Sequence, residues 1–140
     1  MGLDQAMTGL LAAGIGFRRG AGADEIAALI TQALGRVGAV PGDLIAIATV
    51  ADRATEPALA DAAARFGLAP HPVTSEALAA RDAELVTRSA RIEHLRGVGS
   101  LAEAAALAAA GPGSRLALPR IASGGATCAL ARGQSTMQAA

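Results

Sequence analysis

At 140 residues, the chain has the length of one domain, able to bury roughly 68–70% of the surface its unfolded form exposes. It is 52% hydrophobic with two Phe, no Trp and no Tyr, so the core is aliphatic and Ala-rich, and an aromatic platform for stacking bases is excluded. Twelve basic residues, all arginine, balance twelve acidic ones, which excludes a global field for nucleic acid or an anionic membrane and leaves only a local anion site.

The single cysteine, Cys128, rules out an internal disulfide and fits a reducing compartment. No basic residue precedes the first apolar run, and Gly14 and Arg18 interrupt it before about 20 residues. The expectation is a cytoplasmic protein without leader or membrane span.

In chain order, Thr8 to Ile15 reads as a buried strand running into the turn "GIGFRRG". Ile26, Leu29, Ile30, Ala33, Leu34 and Val37 then recur at helical spacing, with Asp24 and Glu25 in the first turn and Gly38 as terminator. Pro41-Gly42-Asp43 turns the chain into "LIAIATV", Leu44 to Val50, the clearest buried strand. After "ADRATEP" a helix is expected from Glu56 to Phe66, with Thr55 as N-cap, Pro57 in its first turn and Gly67 past its end.

"APHPV", Ala69 to Val73, is a short strand that two prolines push toward a sheet edge. Ser75 to Asp82 and Ser89 to Leu95 read as short helices with polar residues between them. Ser100 and Glu103 predict a capping box opening a helix that buries Leu101, Ala104, Ala105 and Leu107 and ends at Gly111. "RLALPR" and "ATCALAR", joined through "IASGG", are two strands close enough in sequence for an antiparallel pair. The βαβα order predicts one three-layer α/β/α domain over residues 1–132, mostly parallel in its sheet, with a disordered tail over 133–140.

Ligands of an open parallel sheet gather outside the carboxyl ends of its strands. Three polar loops leave strands toward such an edge: "GIGFRRGAGADE", "TVADRATEP" and "RIASGGAT". In the first, Gly14, Gly16 and Gly20 let backbone approach a ligand, the following helix adds positive partial charge, and Arg18 and Arg19 offer planar forks to carboxylate or phosphate. Its spacing is one residue too long for G-x-G-x-x-G, and without lysine no P-loop exists. In the second, Thr49, Asp52, Arg53 and Glu56 make either a binding set or an internal ion pair. In the third, Ser123, Gly124 and Gly125 beside Arg120 and Thr127 offer hydroxyls and amides to an anion, or simply close a hairpin.

His71 between prolines, His94 on a surface helix and Cys128 in a strand pattern form no nucleophile motif and no metal-ligand spacing. No resident metal or cofactor is expected. Were the chain catalytic, Asp52 or Glu56 would be the base and Ser123 or Thr127, with Thr49, would steady an oxyanion.

Taken in order, "GIGFRRGAGADEI", "IATVADRATEPAL", "RFGLAPHPV", "GVGSLAEAAAL" and "PRIASGGATCALAR" resemble the CobE proteins of cobalamin biosynthesis and the homologous C-terminal domain of CbiG. Phe17 stands where that family often has cysteine, Gly22 where serine is frequent, and Arg53 and Arg120 where lysine is usual. The resemblance implies a single α/β domain on the route to the corrin ring, with a precorrin tetrapyrrole and other corrin-pathway enzymes as partners and self-association left open. CbiG proteins are associated with opening a precorrin lactone, which keeps a hydrolase reading alive. A small nucleotide- or phosphate-binding domain is the third reading.

Overall fold

The computed structural model describes residues 10–134. Five strands form one sheet: β1 (Leu11–Phe17), β2 (Leu44–Val50), β3 (Pro70–Val73), β4 (Arg115–Ala122) and β5 (Ala126–Arg132), in the order β3-β2-β1-β5-β4. β1 pairs in parallel with β2, and β2 with β3, while β5 is antiparallel to both β1 and β4. Four strands therefore point one way and β5 alone returns, so the β4–β5 turn lies at the same rim as the carboxyl ends of β1 and β2.

The helices are α1 (Ala23–Arg36), α2 (Pro57–Ala64), α3 (Ser75–Ala79), α4 (Ala90–Arg96) and α5 (Leu101–Ala110). Alternation along β1 separates the layers. Leu11, Ala13 and Ile15 join Ile26, Ile30 and Leu34 of α1 and Leu59 of α2 in one cluster, with Leu130 and Cys128 of β5. On the other face, Ala102 and Ala106 of α5 meet Ala129 and Ala131 of β5, while Ala104 and Ala105 meet Ala48 and Val50 of β2 and Leu78 of α3. The result is the expected three-layer α/β/α sandwich.

Gly14 sits at mid-strand, facing α5. A Cβ there would lie 1.9 Å from the Ala102 carbonyl oxygen and 2.5 Å from the Ala106 nitrogen. An alanine-faced helix crossing a glycine brings backbone against backbone, which is how a core with so few large side chains reaches close packing. The glycine-rich turn thus begins later than the sequence pattern places it: Gly14 and Gly16 are buried strand residues, and β1 runs on to Phe17 because β5 pairs it as far as Ala126. Thr8 and Gly9, the start of the expected strand, lie outside the described residues.

Two caps differ from expectation. Glu56, not Thr55, is the N-cap of α2, with Pro57 at its first position. At α5 the box is half made: Ser100 Oγ accepts from the Glu103 amide at 3.3 Å, whereas the Glu103 carboxylate turns away to other amides. Fully buried, it accepts at Oε1 from the Val86 and Thr87 amides (2.9 and 3.0 Å) and at Oε2 from the Arg120 amide (2.9 Å). Burial alone would push this carboxyl up; the three amides outweigh it and hold the group below the ordinary range.

The segment between β3 and α5 is held by arginines. Arg81 donates to the carbonyls of Leu107, Gly111 and Ser114 at 2.9, 3.2 and 3.0 Å, covering the otherwise unpaired end of α5, and pairs with Glu84. Arg88 joins Asp82 and Glu93, each at 2.9 Å. Pro119 interrupts β4 on the free edge of the sheet, where the register shifts between Leu118 and Ile121. Beyond β5, the Gly133 amide donates to the Leu10 carbonyl at 2.7 Å; residues 135–140 of the expected tail lie outside the described residues.

Candidate functional site

The ends of β1, β2 and β4 meet α4 around a cleft of about 420 Å³. From the predicted set it gathers Gly16, Arg18, Arg19, Thr49, Arg53, Arg120, Ser123, Gly124, Gly125 and Thr127. Gly14, Gly20, Asp52 and Glu56 are not in its lining. Gly14 lies under α5. Gly20 turns outward in the left-handed region at φ +96°.

Backbone continuity explains the convergence. The Arg18 amide donates to the Gly125 carbonyl at 2.8 Å, extending the β1–β5 ladder past the strand ends and locking the arginine turn beside the β4–β5 turn. Glu25, in the first turn of α1, clasps that turn from outside: it accepts from Ser123 Oγ and from the Gly125 amide at 2.6 Å. The Ser123 hydroxyl first, then the Gly125 amide, holds the Glu25 carboxyl below its ordinary range, with the Arg18 charge adding to both. The clasp fixes the loop. It also engages the hydroxyl that sequence reasoning offered to a ligand.

The other hydroxyls are similarly turned inward. Thr49, fully buried, donates to the Ile15 carbonyl at 2.7 Å, stitching β2 to β1. Thr127 Oγ1 lies 3.4 Å from the Gly16 carbonyl oxygen, its cross-strand partner. Arg53 donates to the Phe17 carbonyl at 2.7 Å, lies 4.2 Å from the centre of the Phe17 ring and sits 3.7 Å from Glu56. It presents charge to the cleft from a fixed position. Asp52 pairs with Arg96 at 3.0 Å.

Sequence reasoning expected the helix over Ser89 to Leu95 but gave it no part in the site. Arg91, Ile92, Leu95 and Arg96 all line the cleft. The signal was present as an apolar pair three residues apart flanked by two arginines, but a seven-residue helix with no buried side chain carries little periodicity. Phe17, Ile92, Leu95 and Leu101 give the same cleft an apolar part of its lining, interleaved with the arginines.

Arg18, Arg19, Arg91 and Arg120 have no acid within ion-pair distance among the described residues. Four guanidinium groups outside any ion pair among the described residues, gathered with apolar side chains around one cleft, suit an amphiphilic polyanion. His71 and His94 are exposed and outside the lining. Cys128 is wholly buried, its thiol pushed up to about 12 by burial. Among the described residues no three His, Cys, Asp or Glu side chains converge as a metal site, and no helix is long and apolar enough to cross a membrane.

Comparison with known proteins matches residues 11–131 to the model of the family described as Cobalamin synthesis G C-terminus. Protein CobE of Sinorhizobium sp is 36% identical over 129 residues, covering 92% of this chain and 83% of that protein. The crystal structure of CobE, a protein from the cobalamin (vitamin B12) biosynthetic pathway, superposes with a TM-score of 0.82 at 33% identity, covering 89% of this chain and 91% of that one. Cobalamin biosynthesis protein chiG from Agrobacterium tumefaciens strain C58 gives 0.70 at 36% identity, covering 89% and 98%. With 121 consecutive positions (11 to 131) inside the family model and the same fold in relatives of similar length, the chain is a cobalamin biosynthesis protein and belongs to the CobE and CbiG C-terminal family.

Proposed function

We propose that this protein binds a precorrin-type tetrapyrrole intermediate in the arginine-lined cleft and hands it on within the pathway. One observation carries the reading: Arg18, Arg19, Arg91 and Arg120, with no acid in ion-pair distance among the described residues, border one cleft together with the apolar side chains of Phe17, Ile92, Leu95 and Leu101. Precorrins carry acetate and propionate groups around an apolar macrocycle, so their chemistry matches both the cationic and the apolar part of the lining. The relatives' place in cobalamin biosynthesis supports the same ligand class.

Opening a lactone on that ring would ask for a base beside a free hydroxyl. Asp52 and Glu56 are outside the lining and ion-paired, and the hydroxyls of Thr49 and Ser123 are each committed to a protein acceptor. The geometry favours holding over hydrolysis.

The test is titration of the purified protein with a precorrin, followed by visible absorption. Wild type shifts the spectrum; Arg18→Ala with Arg19→Ala weakens binding by about 1.5–3 kcal/mol in total, a figure discounted because both side chains are exposed before binding. An unaltered response in the double variant removes these arginines from the site. A thermal shift with nucleotides but none with the tetrapyrrole replaces the reading with a nucleotide site.

A further inference from the structure

α4 is built unlike the other helices of the cleft. None of its residues is buried, and Leu95 is 60% exposed although it faces the cleft. Its base is closed by the Ser89 amide on the Gly99 carbonyl at 2.7 Å, and Gly97 turns the chain back at φ +77°. Its far end reaches the rim through Arg96, whose Nη1 lies 3.0 and 3.1 Å from the two oxygens of Asp52. The Asp52 side chain is 64% exposed and that of Arg96 30%.

Such a pair is cheap to exchange. Asp52 needs no desolvated partner, since water already reaches it, whereas a carboxylate entering the cleft would meet Arg96 in a drier place. An exposed leucine beside Ile92 likewise gains most when something flat and apolar covers it.

Resting on the ligand class proposed above, we propose that α4 is the gripping arm of the cleft: Ile92 and Leu95 cover one face of the macrocycle, Arg91 takes a peripheral carboxylate, and Arg96 leaves Asp52 for another. Asp52 is then a competitor of the ligand, holding the empty arm in place. This predicts a sign. Removing the acid tightens binding, the reverse of what a supporting or catalytic aspartate would give.

The probe is cobyrinic acid, a coloured corrin ring with free carboxylates, with its methyl ester as control. The full chain is titrated as wild type, Asp52→Asn, Leu95→Ala, Arg91→Ala, and Arg18→Ala with Arg19→Ala; amide hydrogen exchange over residues 90–96 is recorded with and without probe. Asp52→Asn binds up to about fivefold tighter, the value of an exposed ion pair as an equilibrium ratio. Leu95→Ala and Arg91→Ala each bind about tenfold weaker. α4 exchanges faster in free Asp52→Asn and slows on binding in every variant that binds.

Weaker binding by Asp52→Asn, or unchanged binding by both Leu95→Ala and Arg91→Ala, overturns the arm while leaving the cleft. Wild type that ignores the acid, or binds acid and ester alike, overturns the ligand class and the arm with it. All five substituted residues are exposed, so folding is little disturbed, and circular dichroism checks it.

Discussion

Glu103 shows how one side chain can organise a distant loop. Its two oxygens accept three amides from the segment before α4 and from β4, and so tie that segment and β4 to the start of α5. Glu103→Gln leaves one or more of those amides facing an NH2 group, at a cost of about 1–3 kcal/mol in urea unfolding at neutral pH. Because the folded carboxyl is held below its usual value of 4.5, its contribution is complete above that pH and is lost as pH falls toward the folded value. The gap between wild type and Glu103→Gln should therefore narrow on acidification below about pH 4.5; a gap that widens as pH falls would mean that the folded carboxyl titrates above its ordinary value, not below it. The sequence marked this residue as a helix cap, because S-x-x-E is a local pattern. Its real partners lie 16 and 17 positions away, out of reach of any local rule.

Among elements, strands and long helices were the most legible. β2 matches its expected limits, and α1 shows the expected buried stripe with Gly38 beyond its end in the left-handed region. Alternating or helical burial imprints itself on such segments. The stretch from Ser75 to Gly99 was hard to read because only Leu78 and Val98 anchor it in the core and arginine networks hold the rest. Arg81 illustrates the point: its guanidinium substitutes for a next helical turn at the end of α5. Arg81→Ala should cost about 1.5–3 kcal/mol in thermal or urea unfolding, the value of hydrogen bonds to a charged group, and Arg81→Lys should recover only part, since a point charge cannot reach three carbonyls at once. Full stability in the lysine variant would show that charge alone suffices.

For the whole molecule, the balanced net charge conceals a polarised surface. Six of the twelve arginines, at positions 18, 19, 53, 91, 96 and 120, border one cleft. Binding of a carboxylated tetrapyrrole should weaken severalfold between 0.1 M and 1 M salt, as the screening length falls from about 10 Å to about 3 Å. Salt-independent affinity in the same titration would assign the energy to the apolar side chains of the lining instead. What the sequence determined by itself was the kind of layer each segment could join and the three loops able to carry an anion, since periodicity, turn residues and charge are properties of neighbours along the chain. The tertiary structure alone decided that β5 returns between β1 and β4, that Gly14 is a packing site, that Glu25 engages Ser123, and that α4 completes the cleft. Each of these is a contact between residues far apart in sequence, and such contacts are selected by the space left when the layers close, which no stretch of chain specifies alone.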